Sequence, residues 1–186
     1  MIGFAMCGSY CTHRQALAQL KLLLASGVSV QPIMSENVYS TDTHFGTCEE
    51  LKQTVQGLCG EPIIHTVVDA EPLGPKRPLE AMLKCPCTGN TLAKLASGIT
   101  DTAVTMAAKA HLRSDRPLVI ALASNDALSA NLRNIGQLLT RKCVYFVPLR
   151  QDDPEKKPHS LVADFSLLLP TLEAAKQGKQ YQKLFI

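Results

Sequence analysis

Residues 79–97 read LEAMLKCPCTGNTLAKLAS: an apolar run, a turn of small polar residues and a helical pattern in immediate succession. Leu79 to Leu83 predicts a strand, and PCTGN then turns the chain into a helix over Thr91–Ser97. Pro86 gives the turn a rigid start and Gly89 leaves space beside the backbone, while Thr88, Asn90 and Thr91 carry short hydrogen-bonding side chains. Asn90 or Thr91 can cap the helix. A cap needs only one such residue, however, and Thr88, Gly89, Asn90 and Thr91 are all turn or hydrogen-bonding types. That density suits a planar, amide-rich or anionic ligand held by backbone N–H groups and a side-chain amide.

The same strand–turn–helix unit recurs outward in both directions. Upstream, Ile2–Met6 reads as a strand, and Leu17, Leu20, Leu23 and Leu24 mark a helix that Gly27 ends. Val28–Met34 reads as a second strand, at an edge or ending early because of Pro32. A polar loop over Ser35–Gly46, a helix over Cys48–Leu58, a short strand over Ile63–Val68 and a proline-rich loop over Ala70–Pro78 follow. Downstream come a helix over Thr100–Leu112, with Asp101 as a candidate cap, and a strand over Leu118–Ala123. A helix marked by Leu128, Leu132, Ile135 and Leu139 follows, then a last strand over Val144–Leu149. The polar stretch QDDPEKKPHS leads to a terminal helix over Leu172–Gln177. Alternating elements with continuously apolar strands predict one α/β domain over residues 1–186, with a doubly wound, mostly parallel sheet between two helical layers. Such sheets bind ligands beyond the carboxyl ends of their strands, here the loops Cys7–His13, Ser35–Gly46, Cys85–Thr91 and Ser124–Leu128.

Composition narrows the chemistry. Hydrophobic residues at 46% and charged residues at 19% are ordinary globular values, and the basic residues behind the +3 net charge are scattered. With aromatics at 5% and no tryptophan, nucleic acid is a poor expectation. No apolar run reaches membrane-spanning length and the N-terminus lacks the features of a signal peptide, so the expected compartment is the cytoplasm. The seven cysteines show no paired C-x-x-C spacing and read as reduced thiols, with no metal expected. Zinc on Cys7, Cys11, Cys85 and Cys87 is the minor alternative. In the first loop, Gly8 and Ser9 stand before a helix start, where either phosphate binding or a simple cap by Ser9 or Thr12 fits. No G-x-S-x-G, P-loop or H-E-x-x-H pattern is present. His65 reads as structural, whereas His44 lies in a loop that could face the site.

At these residues the sequence resembles the flavoprotein family of cysteine decarboxylases and flavin prenyltransferases. CGSYCTHRQALAQLKLLLASGVSVQPIMS (7–35) is similar to its opening loop, helix and second strand, and PCTGNTLAKLASGITD (86–101) to its P-A-S-A-N-T segment. LVIALASNDALSANLRNIGQLL (118–139) resembles its later strand and loop, where P-x-M-N is usual. The resemblance implies a flavodoxin/Rossmann-like domain. It also implies flavin mononucleotide (FMN) in contact with Gly8, Ser9, Ser35, Thr88, Gly89, Asn90, Thr91 and Asn125. Cys87 and Gly89 stand where that family usually has alanine, the third segment keeps only its asparagine, and no position matches the family's catalytic histidine.

AEPLGPKRPL (70–79) and QDDPEKKPHS (151–160) narrow the resemblance to one member. It implies oxidation of a small dicarboxylate during sporulation, together with a partner subunit similar to nicotinamide-dependent dehydrogenases and expected to carry NADP. A dicarboxylate calls for cations at both ends. Lys156 and Lys157 are the foremost candidates, ahead of Lys76, Arg77 and Lys94, although a solvated surface turn explains Lys156-Lys157 equally well. Two other readings remain: a stand-alone decarboxylase-like flavin enzyme, and a non-catalytic partner that stabilises the nicotinamide-dependent subunit.

Overall fold

A computed structural model of the chain describes residues 1–74 and 76–186. Pro75, inside the expected proline-rich loop, lies outside the described residues. The strands β1 (Ile2–Met6), β2 (Val30–Met34), β3 (Ala81–Cys87), β4 (Leu118–Ser124) and β5 (Val144–Phe146) pair in parallel in the order β2-β1-β3-β4-β5. This is the flavodoxin-like order, whose direction of travel reverses between β1 and β3. Every residue of β1 through β4 is buried, which explains why these strands read as continuous rather than alternating apolar runs. The two sheet faces are covered by helices. α1 (His13–Ala25) and α8 (Leu168–Lys176) pack together and against β3, and α6 (Ala103–Leu112) packs against β2, β3 and β4. Pro32 sits in the edge strand β2, and Gly27, at φ +82°, takes the chain out of α1.

Several expectations needed correcting. Ile63–Val68 forms no strand. Ile64 makes one bridge to Ile33, and then Thr66 caps a four-residue helix, α4 (Val67–Ala70), by accepting the N–H of Asp69 at 3.1 Å. The loop after β2 contains a short helix, α2 (Glu36–Ser40), before α3 (Cys48–Cys59). β3 runs on to Cys87 instead of ending at Leu83; its register against β4 shifts between Lys84 and Cys87, and this irregularity accommodates Pro86 in a central strand. Asp101 does not cap α6: Thr102 and Thr105 form the capping box there, and Asp101 pairs with Lys94 at 2.8 Å. α7 (Leu132–Leu139) starts after, not at, Leu128.

The expected strand Val144–Leu149 is split. After β5 the chain forms β6 (Leu149–Arg150), crosses the polar loop, and returns as β7 (Leu161–Ala163), antiparallel both to β6 and to the last two residues of β4. β4 therefore changes neighbours along its length: Leu118–Ile120 pair with β5, and Ala123–Ser124 pair with β7. The returning hairpin brings residues 151–160 over the carboxyl end of the sheet. The terminal helix begins at Leu168, four residues before Leu172.

Candidate ligand-binding site

The reversal between β1 and β3 leaves a gap at the carboxyl ends of these strands, and a cleft of about 590 Å³ occupies it. Gly8, Ser9 and Cys11 come to it from β1, Thr88, Gly89 and Asn90 from β3, Ser124, Asn125 and Asp126 from β4, and Asp152, Lys157 and Ser160 from the β6–β7 loop. Two of the expected contacts lie elsewhere. Ser35 holds the N-cap position of α2 and donates its N–H to Met6 O at 3.0 Å, without lining the cleft. Thr91 is buried and also does not line it.

The turn after β3 is arranged by its first threonine. Thr88 caps α5 (Gly89–Ser97): its Oγ1 accepts the Thr91 N–H at 3.2 Å and donates to Thr91 Oγ1 at 3.1 Å. The cap is thus Thr88, and not Asn90 or Thr91. This releases the Asn90 amide, which has no hydrogen-bond partner among the described residues, and Gly89 and Asn90, whose first-turn N–H groups lack intrahelical partners, line the cleft.

Gly89 rests on a polar network contributed by β4 and the loop after it. Ser124 Oγ donates to Asp126 Oδ1, Asn131 Nδ2 donates to Asp126 Oδ2 at 2.8 Å, and Asn134 Nδ2 donates to Asn131 Oδ1 at 2.8 Å. The Ser124 hydroxyl, aided by Asn131, holds the Asp126 carboxyl below the usual aspartate range against the opposing effect of burial. Asp126 therefore presents a fixed anion to the cleft.

Of the expected cations only Lys157 lines the cleft, and it is paired with Asp152 at 2.6 Å. Lys156 stays outside, its backbone N–H donating to Asp153 at 3.1 Å. Arg77 lies at the opposite end of the sheet, near Met1, and Lys94 is paired with Asp101. The unpaired polar groups that line the cleft are mainly neutral donors: the first-turn amides of α5 and the side chains of Ser9, Asn90, Asn125 and Ser160. Ser160 is 3% exposed, and its hydroxyl has no partner among the described residues.

The histidines stand around the site rather than in it. His13 Nε2 donates to Cys7 O at 2.8 Å, and burial lowers its pKa, so the neutral ring pins the Cys7–Gly8 turn. His44 lies against Phe45, with ring centroids 3.9 Å apart, and does not line the cleft; Phe45 does. His65 stacks on Tyr39 at 3.7 Å, a structural role. Cys7, Cys85 and Cys87 are buried and Cys11 is exposed; among the described residues no group of three His, Cys, Asp or Glu side chains converges to hold a metal ion. Beneath the site Lys84 is fully buried in β3 with its Nζ donating to Val104 O, and desolvation lowers its pKa to about 8. A lysine inside the apolar run AMLKC is the one sequence signal for it. Asp126, Asn131 and Ser160 have none that stands apart from ordinary loop residues.

A 2-1-3-4-5 parallel sheet with a donor-rich cleft at its reversal point is the flavodoxin-like α/β class, whose ligands bind at that reversal. The Flavoprotein family profile matches residues 2–163, and the chain belongs to this family. It is 43% identical over 185 residues to the dipicolinate synthase B-subunit of Bacillus subtilis (strain 168), an alignment covering 100% of this chain and 92% of that protein. The crystal structure of the dipicolinate synthase B-subunit from Bacillus halodurans C superposes with a TM-score of 0.92 at 43% identity, covering 100% of this chain and 95% of that one. AnUbiX (PadA1), solved in complex with FMN and dimethylallyl pyrophosphate, superposes with a TM-score of 0.61 at 25% identity over 79% of this chain and 76% of that one.

Proposed function

We propose that this chain is the flavin-binding subunit of a dipicolinate synthase, acting in the cytoplasm of the mother cell of a sporulating bacterium. Its work is the oxidation of a dihydropyridine dicarboxylate to pyridine-2,6-dicarboxylate, beside a nicotinamide-dependent dipicolinate synthase A-subunit that carries NADP. The observation that carries the reading is the convergence of unpartnered donors at the β1/β3 reversal, in a chain 43% identical from end to end to such a protein.

The residues fit FMN. The loop of Gly8 and Ser9 ahead of α1, on the side of the cleft away from the Gly89–Asp126 contact, suits the phosphate. The Asn90 and Asn125 amides and the Ser160 hydroxyl offer hydrogen bonds to the ribityl chain and the ring edge. Asp126, kept ionised, repels the phosphate and accepts from hydroxyl or ring N–H groups, which fixes the ligand's direction in the cleft. A bound flavin would supply a two-electron acceptor for a ring that gains aromaticity on oxidation. With that driving force the protein's share is positioning and exclusion of water rather than strong acid–base catalysis. His13 is unsuited to acid–base work because its Nε2–H is committed to Cys7 O. Titration of the purified chain with FMN, alone and with the A-subunit, tests the reading: a yellow 1:1 complex is expected, and failure to bind FMN in both states overturns it.

A further inference from the structure

A second cavity, of about 730 Å³, lies between α1, α3 and the 41–47 loop, and adjoins the flavin cleft: Tyr10, Cys11 and Phe45 line both. Arg14, Leu17, Ala18 and Lys21 form its α1 wall. These positions follow the i, i+3, i+4, i+7 pattern of one helical face, with the two cations about 10 Å apart along the axis and apolar surface between them. Neither Arg14 nor Lys21 has a carboxylate within ion-pair distance among the described residues. The single carboxylate in this cavity, Glu50, is engaged in the α3 capping box, where it accepts the Thr47 N–H at 3.1 Å. His13 contributes no charge. The cavity thus holds two uncommitted cations against one committed anion. The adjoining cleft is the reverse, with Asp126 and Asp152 against a Lys157 already paired. At the junction Phe45 is 58% exposed, an aromatic face open to both compartments.

We propose that this cavity is the dicarboxylate site, with Arg14 and Lys21 clamping the two carboxylates of a planar six-membered nitrogen ring and Phe45 lying against that ring. The inference rests on the dicarboxylate reading of the function and adds to it the place where the substrate sits. Two carboxylates are attracted to the uncommitted cations of this groove, which the adjoining cleft, whose one lysine is already paired, does not offer. The order along the molecule is then flavin, Phe45 and the shared Tyr10–Cys11 wall, then substrate.

Calorimetric titration with dipicolinate on the full chain with FMN present, alone and with its partner subunit, tests the assignment. Arg14→Gln and Lys21→Gln are each expected to weaken dipicolinate at least about tenfold, a lost charge-assisted hydrogen bond, with FMN affinity unchanged. Arg14→Lys should recover part of the loss, and picolinate, with one carboxylate, should bind more weakly than dipicolinate and respond to only one of the two substitutions. Wild-type dipicolinate binding by both Gln variants overturns the inference. So does loss of binding in Lys157→Gln while both Gln variants bind normally, which would place the carboxylates in the flavin cleft. A wild-type chain that binds FMN but not dipicolinate in either state overturns the substrate site and leaves the flavin reading standing. Failure to bind both ligands removes the two together.

Discussion

A Cβ atom on Gly89 would collide with Ser124 Oγ and would lie 2.7 Å from Asn131 Nδ2 and 2.8 Å from Asp126 Oδ1. The bare backbone of the β3 turn therefore rests on the polar network of the β4 loop, and a methyl group has no room between them. The volume absent from the turn is filled by side chains from the end of β4 and the segment after it. Gly89→Ala is expected to destabilise the protein by about 1–3 kcal/mol through overpacking. Urea denaturation should show a lower midpoint at unchanged slope. Ser124→Ala should recover part of the loss in the double variant; strictly additive effects would mean that the two residues are not in contact.

Asn90 and Ser160 line the cleft from different elements, α5 and the β6–β7 loop, and neither side chain is hydrogen-bonded within the protein among the described residues. Asn90→Ala and Ser160→Ala should each weaken FMN binding by about 1–3 kcal/mol while leaving the thermal midpoint of the ligand-free chain nearly unchanged. Unchanged affinity in Asn90→Ala would show that the ligand does not reach the α5 turn.

Lys84 predicts an unusual dependence of stability on pH. Its folded pKa of about 8 lies below the ordinary 10.5 of the unfolded chain. Below pH 8 both states carry the proton and the cost of burying the cation is present in full. Between pH 8 and 10.5 the unfolded chain binds more protons than the folded one, so this group's contribution makes the protein more stable as pH rises. Lys84→Met, which removes the buried charge along with its hydrogen bond to Val104 O, should therefore stabilise the protein at pH 7, by at most about 3 kcal/mol. The advantage should shrink toward pH 10.5. Chemical denaturation of both proteins at several pH values tests this, and a variant less stable than wild type at every pH would refute it.

Cys11 gives a chemical report on ligand occupancy. It is exposed and lines both cavities, whereas burial pushes the Cys59 thiol up to about 11 and raises those of Cys85 and Cys87 as well. Iodoacetamide at pH 8 should label Cys11 well ahead of those three, because the thiolate is the reactive form. Bound FMN should slow labelling at Cys11 and leave Cys59 unaffected; equal rates with and without FMN would place the ligand elsewhere.

The fold is legible in the sequence because the strands of a buried parallel sheet are apolar along their whole length, and IGFAM and LVIALAS are such runs. The failures have local causes. Ile63–Val68 is apolar enough for a strand, but Thr66 and Asp69 satisfy each other as a helix cap, and Val68 ends up 80% exposed. Leu161–Ala163 is too short to register as a strand without knowing that β4 offers it a partner. The turn at Thr88–Asn90 is recognisable as a site because it holds more hydrogen-bonding residues than a cap requires. Which of them serves the cap depends on backbone angles, and so the roles of Thr88, Asn90 and Thr91 need coordinates. Lys157 can be picked out from sequence and its pairing to Asp152 cannot, since partnership between charged residues in one loop depends on how that loop closes.

The divided pairing of β4 separates two tasks within one strand. Its first half pairs with β5, while its last two residues pair with β7 of the hairpin that carries Asp152, Lys157 and Ser160. Exchanging the loop 151–160 for the corresponding loop of a relative would change three of the groups facing the ligand while leaving Leu149, Leu161 and Ala163 in the hydrophobic interior. Variation in what such proteins bind can then accumulate in this one loop, while β6 and β7 stay within the sheet that keeps them folded.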